Sequence, residues 1–575
     1  MAIRKNNMGT DFLALGLGGT NMMAMLWSIA MGKKAIGVDM RGDPFLRMHW
    51  NVRVDFYHQL GLIDQMMMER YGQAGVPRRD NGKIFSLADC FYSPKTTAGY
   101  IVADEVIGGF DAIHHISGAI HHIEFIDDRY QNGKPRRILT TLSKPELPEK
   151  PDPKAIRANV AEMLDGPSTF QSEANTILIL LRRYLEAIEM LDKEMGREPR
   201  VILFTTHRVL SDGEGFIREA DGRVSVVIEK VQELDFRGKL TRVRVPNTET
   251  ITINTPELCV IAQGVDSRDA KSLDFEQKNV VVDHNDGNGP LVAQADYLAG
   301  FIDVLVDGRL RRRIASAFDE EGNEYWVRQI AVGHENDPQV GWILVQVPDF
   351  MVFDPVAAGY VSADTDRDSV EFFAAHQRLL YEFYIQEAAK ILEIPEEELK
   401  ETQMAYGPKL FSLIERIGDN PKIAPNVVVA GDSFGNGHFL TSGGAMTGMV
   451  GHSMAVLNYW KARIEHVSAE AASEKLAEEI RMGTQDWLDV SAKEFTQFTP
   501  INFGIERIQK IAEESGISLE ARTRLIDASR RMRHGLSPQD PSDWRRPAMR
   551  NGKVRTKPLP MLGEEHPDMA CVSAS

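Results

Sequence analysis

The most constraining feature of the sequence is a glycine-rich turn close to its beginning. A short apolar run, Phe12–Leu15, leads into the turn Gly-Leu-Gly-Gly-Thr-Asn at residues 16–21. The helix-compatible segment Met22–Met31 follows, and Gly32 ends it before a second apolar run at residues 35–38. This order predicts a strand, a tight turn, a helix and a second strand, which is the start of a parallel βαβ unit.

The glycines of this turn stand where a phosphate-binding turn needs them. In a dinucleotide-binding fold the first glycine allows the tight turn, the second lets a pyrophosphate approach the backbone, and the helix N-terminus faces the phosphate charge. Gly16 and Gly18 fill these roles, with Gly19 beside them, whereas Asn21 replaces the third glycine. Asp39 ends the second strand at the distance expected of a carboxylate that binds ribose hydroxyls. The alternative is a glycine-rich turn of some other α/β protein.

A second glycine-rich segment lies far downstream. Residues 426–430 predict a buried strand that ends in Gly431-Asp432, and the run 441–448 (Thr-Ser-Gly-Gly-Ala-Met-Thr-Gly) opens a helix. A Gly-Asp pair places a carboxylate at a sheet edge, where it accepts a hydrogen bond from a sugar-like hydroxyl. The glycines bring backbone N–H groups and a helix N-terminus towards a polarised ring. This arrangement suits a flavin.

Together, the two segments resemble the FAD-dependent family of aromatic hydroxylases and flavin-dependent halogenases. The resemblance implies FAD as the cofactor, with Asp432 on the ribityl chain and with Gly444 and Gly448 beside the flavin ring. Residues around both turns are then candidates for further cofactor contacts. These candidates are Gly16, Gly18, Gly19, Asn21, Asp39, Met40, Arg41, Arg47, Gln171, Gly431, Gly443 and Ala445.

The sequence departs from the hydroxylase pattern at two elements. After Gly-Asp, Gly435 takes the position of a usual histidine, and the pair 438–439 (His-Phe) replaces a proline pair. In the middle of the chain, residues 263–267 are similar to the family's Asp-Gly-x-x-Ser element, but Gln263 replaces the aspartate and Ala270 the expected arginine. Because the family uses that element for FAD pyrophosphate and nicotinamide, direct reduction by NADPH or NADH and reduction by a partner reductase both stay open.

The rest of the chain predicts the architecture. We expect an α/β protein that has a Rossmann-like FAD-binding domain, an inserted β-rich substrate domain and a helical C-terminal region. Residues 325–332 and 341–347 predict a mostly antiparallel sheet, and residues 370–392 and 395–417 predict helices. The expected boundaries are 1–50, 160–275 and 420–465 for the FAD-binding domain, 51–159 and 276–419 for the substrate-binding region, 466–535 for the helical region and 536–575 for an exposed tail.

The net charge and the cysteine positions limit which partners the protein can bind and in which cellular compartment it is found. A formal net charge of −17 over 575 residues repels nucleic acid and anionic lipid surfaces. The cysteines Cys90, Cys259 and Cys571 are too far apart for a disulfide framework or a Cys-rich metal site, which favours a reducing cytoplasm. The apolar stretch near the N-terminus is about half of the ~20 residues that span a bilayer, so we expect no membrane span and no export signal.

These features predict a cytoplasmic flavoprotein oxidoreductase. The leading hypothesis is an FAD-dependent monooxygenase that hydroxylates or oxidises a small to medium organic substrate, within a biosynthetic pathway, through the reaction of reduced flavin with dioxygen. His438 is the candidate catalytic residue, because its position suits a polar group that steers a proton. The expected partners are a small-molecule substrate, a flavin reductase as one possible electron source, and a second copy of the chain held by the C-terminal arm.

Three alternatives stay open beside this hypothesis. A flavin-dependent halogenase or an oxidase would use reduced flavin from a partner reductase, and Lys83 is the candidate lysine of a halogenase. A non-catalytic protein that resembles GDP-dissociation inhibitors would bind a lipid or protein partner without flavin chemistry. The histidines 114, 115, 121 and 122 are compatible with a substrate pocket, with a metal ion or with ordinary packing.

Overall fold

The structure of the chain is a computed structural model. It describes residues 6–42, 49–79, 82–91, 123–131, 134–142, 169–211, 214–236, 239–283, 290–303, 305–306, 309–318, 324–330, 340–347, 352–392, 395–397, 406–437 and 443–496. The fold is mixed α/β, with several sheets and with helices between them.

The strands and helices are numbered in chain order. The strands are β1 (Asn6–Gly9), β2 (Phe12–Leu15), β3 (Ala35–Asp39), β4 (His49–Arg53), β5 (Ile123–Gln131), β6 (Lys134–Leu142), β7 (Thr169–Glu173), β8 (Val201–Thr205), β9 (His207–Val209), β10 (Phe216–Arg218), β11 (Val224–Phe236), β12 (Lys239–Arg244), β13 (Ile251–Asn254), β14 (Leu258–Ile261), β15 (Gln277–Asn279), β16 (Val281–Asp283), β17 (Pro290–Val292), β18 (Gln294–Asp303), β19 (Leu305–Val306), β20 (Arg309–Phe318), β21 (Glu324–Ile330), β22 (Val340–Val347), β23 (Tyr406–Ile414), β24 (Arg416–Gly418), β25 (Lys422–Ala424), β26 (Val427–Val429) and β27 (Gly435–Asn436). The helices are α1 (Gly19–Ala30), α2 (Val54–Gly75), α3 (Leu87–Phe91), α4 (Ala174–Glu194), α5 (Arg268–Lys271), α6 (Val370–Leu392), α7 (Gly443–Met446), α8 (Ser453–Ile464) and α9 (Ala469–Thr496). A 3₁₀ turn spans Gly431–Ser433 and a π-helical segment spans Thr447–His452.

A six-stranded sheet, in the order β25-β26-β14-β2-β3-β8, forms the centre of the molecule. All neighbours in it are parallel except β25 and β26. Leu15 pairs with Val38 and with Ile261, which in turn pairs with Val429, so these strands end at one common edge. The βαβ unit predicted from the sequence is therefore confirmed, and its strands are buried on both faces, as parallel strands usually are.

Helix α1 follows the glycine-rich turn and is buried along nearly its whole length. It begins at Gly19 and ends before Gly32, which has a φ of +81°. Two tryptophans lock it to α8, because the indole of Trp27 donates to Ser453 Oγ (3.3 Å) and that of Trp460 donates to Ser28 Oγ (2.8 Å). Both indoles are fully buried, and replacing such a side chain by alanine typically costs about 3–5 kcal/mol.

A second sheet has six strands, one of which follows the parallel sheet directly along the chain. Strands β1, β13, β11 and β10 form its path, and β9 and β12 also pair with β11. Because β9 begins two residues after β8 ends, the chain turns directly from the edge of the parallel sheet into this second sheet. That turn brings residues of β9 and β12 close to the end of β3.

A third large sheet is antiparallel and has eight strands. Their order is β23-β18-β22-β21-β20-β6-β5, with β19 beside β20. It confirms the antiparallel pairing predicted for residues 325–332 and 341–347, and α6 packs on it over the predicted bounds of 370–392. The helix predicted at 395–417 is wrong over Tyr406–Ile414, which is strand β23. Seven of its nine residues pair with β18, and this long-range pairing overrides the local pattern.

The C-terminal part that the structure describes is helical. Helix α9 packs on α8 and on the π-helical segment through a buried face that includes Leu476, Ile480, Thr484 and Leu488. Across the described ranges, no helix combines the length and the apolar character that crossing a bilayer requires.

Candidate functional site

A cavity of about 580 Å³ opens at the carboxyl edge of the parallel sheet. This volume lies within the range of about 300–1,000 Å³ that small-molecule and cofactor sites occupy, and ligands of open α/β sheets bind at this edge. The residues predicted from the two glycine-rich segments meet here. Those that line the cavity are Gly16, Gly18, Gly19, Asp39, Met40, Arg41, Gly431, Asp432, Gly444 and Ala445.

The turn after β2 approaches the next strand so closely that only glycine fits. Gly16 has a φ of +90°, and a Cβ added to it would lie 2.6 Å from the carbonyl oxygen of Ala262. Gly18 is the N-cap of α1 and offers no side chain to its first turn, which also holds no acidic residue. Gly18, Gly19 and Thr20 line the cavity, so the positive end of α1 faces it, as in helix N-termini that bind phosphate.

Asn21 does not line the cavity but holds the turn from behind. Its amide nitrogen, fully buried, lies 3.0 Å from the carbonyl oxygen of Leu15, 2.8 Å from that of Gly16 and 3.2 Å from that of Val260. A glycine at this position would allow α1 to approach the sheet. Here the asparagine instead joins α1, β2 and β14 by hydrogen bonds, so the departure from the glycine pattern preserves the geometry.

Asp39 lies at the end of β3 with its carboxylate bound on both oxygens. Oδ2 accepts the N–H of Leu17 (2.8 Å) and Oδ1 accepts the N–H of Arg41 (2.7 Å). The Arg41 guanidinium is 3.4 Å from Oδ1. The carboxylate is therefore oriented before any ligand arrives, and Oδ2 still has a second lone pair for a hydroxyl donor.

The turn Gly431–Ser433 brings a second carboxylate to the same cavity. Gly431 has a φ of +58°, which glycine adopts without strain. The Asp432 side chain is open to the cavity, yet protein surrounds it and no described residue donates a hydrogen bond to its carboxylate. This burial raises the pKa of Asp432 to about 6. An acceptor without a partner is thus directed at the space that a ligand would fill.

The chain beyond Asp432 closes the cavity on that side. A Cβ on Gly444 would lie 3.5 Å from Asp432 Oδ1 and 3.2 Å from the indole of Trp487, so α9 borders the cavity as well. Gly448 does not line the cavity. It lies against Thr20 and Gly431, where a Cβ would overlap the threonine hydroxyl. Gly443 begins α7, next to these residues.

The segment 263–270 forms the rim of the cavity and is tied together by side-chain hydrogen bonds. The Gln263 side-chain amide donates to Asp269 (2.5 Å) and accepts from the Ser267 hydroxyl (2.7 Å). Ser433 links this rim to the Gly-Asp turn, since its hydroxyl accepts the N–H of Gln263 and donates to the carbonyl of Gly264. Burial raises the pKa of Asp269, whose carboxyl faces the cavity.

A basic group of residues at the end near Asp39 was missed by sequence reasoning. His207 and Arg208 on β9 and Arg242 on β12 line the cavity together with Arg41. Arg208 and Arg242 each pair with a glutamate, at 2.9 and 2.5 Å. These residues come together only because β9 and β12 both pair with β11. No local sequence motif indicates this pairing.

Several predicted residues are not brought to the cavity or lie outside the described residues. Gln171 is on β7, which pairs with β4 rather than with the parallel sheet. Lys83 is exposed and is not a lining residue. Arg47, His438 and the histidines 114, 115, 121 and 122 lie outside the described residues. Within the described part, no group of three His, Cys, Asp or Glu side chains is arranged to hold a metal ion.

No protein-family model matches the sequence, and no curated protein matches it either. Among solved structures, the chain is similar to the flavin-dependent monooxygenase PieE in complex with FAD and substrate, with 12% identity, a TM-score of 0.48 and coverage of 92% of this chain and 73% of that one. It is similar to p-nitrophenol 4-monooxygenase PnpA from Pseudomonas putida DLL-E4, with 9% identity, a TM-score of 0.47 and coverage of 92% and 99%. It is also similar to OxyS anhydrotetracycline hydroxylase from Streptomyces rimosus, with 12% identity, a TM-score of 0.44 and coverage of 90% and 75%. Because these TM-scores are below 0.5, we base the proposals below on the geometry of the cavity.

Proposed function

We propose that the chain binds FAD in this cavity and is an FAD-dependent monooxygenase acting on a small to medium organic substrate. The observation that carries the proposal is the order of groups along one sheet edge. A glycine turn with a helix N-terminus lies between two carboxylates, Asp39 on one side and Asp432 on the other. A dinucleotide that has a sugar or sugar-like chain on each side of a pyrophosphate matches this order.

The residues of the cavity fit FAD group by group. The turn at Gly16–Gly19 and the N-terminus of α1 would hold the pyrophosphate, because they offer backbone N–H groups and no acidic side chain. Asp39 would accept hydrogen bonds from the adenosine ribose. Asp432 would accept them from the ribityl chain, which gives its carboxylate the donors that the described residues do not supply. Gly444 and Ala445 would lie beside the flavin ring.

The bound and reduced cofactor would supply the reactivity towards dioxygen, and the chain would supply binding, orientation and exclusion of water. In this proposal the cofactor domain comprises residues 1–50, 160–275 and 420–465, and the substrate region comprises 51–159 and 276–419. Residues 466–535 form the helical region and 536–575 a tail. Arg47 and Gln171 as cofactor contacts and His438 as the group that steers a proton are proposed from the sequence.

A second candidate differs in the source of electrons. At the cavity rim, Gln263 and Ala270 stand where the family that the chain resembles has an aspartate and an arginine, and Ala270 is buried. Asp269, whose carboxyl group accepts a hydrogen bond from Gln263, lines the rim instead. A carboxyl group does not attract the phosphates of a nicotinamide dinucleotide. This observation favours a partner flavin reductase over direct reduction by NADPH or NADH.

The first experiment is the visible absorption spectrum of the purified protein, before and after FAD is added. Flavin bands that stay with the protein through gel filtration are the expected result. The Asp432→Ala variant should retain less FAD under the same conditions. The Asp419→Ala variant is the control, because this residue is an exposed partner of Lys278 away from the cavity. A wild-type protein without flavin bands after FAD addition would rule out the proposed function.

The second experiment separates the two electron sources. NADPH and NADH are added separately to the FAD-bound protein without oxygen. Bleaching of the flavin bands would show direct reduction. Bands that persist, but bleach when a flavin reductase is added, would show the partner-dependent form. Halide-dependent turnover with reduced flavin would identify a halogenase instead of a monooxygenase.

A further inference from the structure

A buried chain of hydrogen bonds connects the C-terminal helix α9 to the Gly-Asp turn. The Nδ1 atom of His452 accepts the backbone N–H of Gly431 at 2.9 Å. Its Nε2 atom lies 3.0 Å from the hydroxyl oxygen of Thr484, and that hydroxyl donates to the carbonyl oxygen of Ile480 at 2.8 Å. The exposed fractions are 1% for His452 and 0% for Thr484, so water does not compete for these bonds.

The donors and acceptors assign the tautomer of His452. The Gly431 N–H is a donor only, so Nδ1 carries no proton. The Thr484 hydroxyl gives its own proton to Ile480, so Nε2 carries a proton and donates it to the threonine oxygen. The imidazole is therefore neutral, and it links the Thr484 hydroxyl to the backbone of Gly431 by one hydrogen bond at each nitrogen.

The local backbone is shaped to place His452 at the turn. His452 is the last residue of the π-helical segment, a rare widening of the helix that is frequent at functional sites. In the same segment Gly448 lies against Thr20 and Gly431. Thr484 also lies directly against Gly435, just beyond the turn, where a Cβ would overlap its methyl group. Helix α9 thus contacts both ends of the segment that carries Asp432.

We propose that His452 and Thr484 are positioning residues that fix the turn at Gly431 and thereby direct the Asp432 carboxylate at the cofactor. This inference rests on the proposed function, because it names FAD as the ligand of Asp432. Among the described residues none donates a hydrogen bond to the carboxylate, so its direction depends on the backbone of the turn. The Gly431 N–H bond to His452 holds this backbone together with the two hydrogen bonds of the Ser433 hydroxyl and the Gln277 amide, which donates to the carbonyl oxygen of Asp432 (2.9 Å).

The test compares two pairs of variants that keep size and change hydrogen bonding. Asparagine and leucine have almost the same shape, and the amide oxygen of asparagine stands close to the position of Nδ1. His452→Asn therefore retains an acceptor for Gly431, and His452→Leu does not. Thr484→Ser retains the hydroxyl, and Thr484→Val keeps the shape without it. For each variant the dissociation constant of FAD, the visible circular dichroism of bound FAD and the melting temperature of the FAD-free protein are measured.

We expect His452→Leu to raise the dissociation constant of FAD about tenfold relative to His452→Asn, which corresponds to about 1.4 kcal/mol. Thr484→Val should raise it about threefold relative to Thr484→Ser, with a change in the circular dichroism of the bound flavin. A lower melting temperature of the FAD-free protein with unchanged affinity and unchanged dichroism would reduce the residues to a structural role and overturn the inference. If His452→Leu does not fold, the threonine pair decides by the same criteria.

The experiments distinguish a failure of the proposed function from a failure of the inference about His452 and Thr484. A wild-type protein that binds no FAD rejects both the proposed function and this inference. A wild-type protein that binds FAD, with variants that bind it equally well and with the same dichroism, rejects the inference alone.

Discussion

Two carboxylates face the same cavity from neighbouring parts of one sheet edge, but they differ in the hydrogen bonds that they receive from the protein. Asp39 receives two backbone N–H bonds and the nearby guanidinium of Arg41. Asp432 receives none from the described residues, and burial raises its pKa to about 6. The protein therefore orients the Asp39 carboxylate in the unliganded fold, whereas the exposed Asp432 carboxylate is open to donors from solvent or from a ligand.

This difference indicates that the two ends of the cavity have different roles, one in stabilising the fold and one in binding the ligand. The Asp39 end contributes to the stability of the fold itself, because the carboxylate holds the glycine turn in shape. The Asp432 carboxylate receives no hydrogen bond from the described residues, and in our proposal its direction is set indirectly, through His452 and Thr484. A ligand should thus meet a rigid site at the first end and form its strongest new hydrogen bonds at the second.

The largest effect is expected at the glycine turn that separates the two ends. The Gly16→Ala variant places a Cβ 2.6 Å from the Ala262 carbonyl oxygen at a φ of +90°. Steric overlap and backbone strain together should lower the free energy of unfolding by about 2–4 kcal/mol. The displaced turn should also raise the dissociation constant of FAD more than about a hundredfold. Denaturant unfolding and FAD titration measure the two effects.

Gly61→Ala is the matched control for this variant. Gly61 lies within α2, and a Cβ on it would meet no atom within 4 Å. The same substitution should therefore raise the free energy of unfolding by up to about 1 kcal/mol, because alanine favours the helix, and leave FAD affinity unchanged. A Gly16→Ala protein that behaves like this control would contradict the tight contact described here.

The next variants exchange the two carboxylates for amides and should show a crossed pattern. Asp39→Asn leaves one of two backbone donors without a charged acceptor, so the FAD-free protein should lose about 1–2 kcal/mol of stability. Asp432→Asn removes a desolvated charge, so the FAD-free protein should be as stable as wild type or more stable at pH 7.5. Both should bind FAD about tenfold more weakly. Equal loss of stability in both would show that the two ends do not differ.

Dependence on pH sharpens the comparison with a smaller effect. The pKa of Asp432 in the fold is about 6, above the ordinary value of about 3.9 in an unfolded chain. The cost of its charge is therefore fully present above about pH 6 and disappears as the pH falls below about 4. We expect the stability advantage of FAD-free Asp432→Asn over wild type to shrink as the pH falls from 7.5 to 4.5. A constant difference across this range would contradict the raised pKa.

Much of the first end could be predicted from sequence, and the reason is locality. The strand, turn, helix and following Asp39 occupy one stretch of the chain, and glycine positions with apolar flanks report backbone shape directly. The second end was predicted as far as Gly431 and Asp432, because a buried strand ending in Gly-Asp is also a local pattern. The helix at 370–392 is likewise confirmed.

The remainder depends on contacts between distant segments. Strand β23 pairs with β18 more than a hundred residues earlier, so its local pattern was misread as part of a helix. His207, Arg208 and Arg242 reach the cavity only through the second sheet. His452 and Thr484 are 32 residues apart and belong to no motif, although the glycines 448 and 451 within a helical segment were a signal of irregular backbone. The raised pKa of Asp432 also follows from packing alone.

The smallest effect is expected at a third carboxylate, which tests whether desolvation or mere charge distinguishes the two ends. Asp266 lines the same cavity but is exposed, and Lys271 (3.0 Å) and then Arg416 (3.2 Å) hold its pKa below the usual range. It has a φ of +61°, which asparagine tolerates as well as aspartate. Asp266→Asn should change stability by at most about 0.5 kcal/mol, and less at high salt, because exposed ion pairs contribute little. Its FAD affinity should stay within about twofold of wild type. A loss as large as that of Asp432→Asn would mean that FAD binding follows the total charge of the cavity, since the two residues share sign and site but differ in their ion-pair partners.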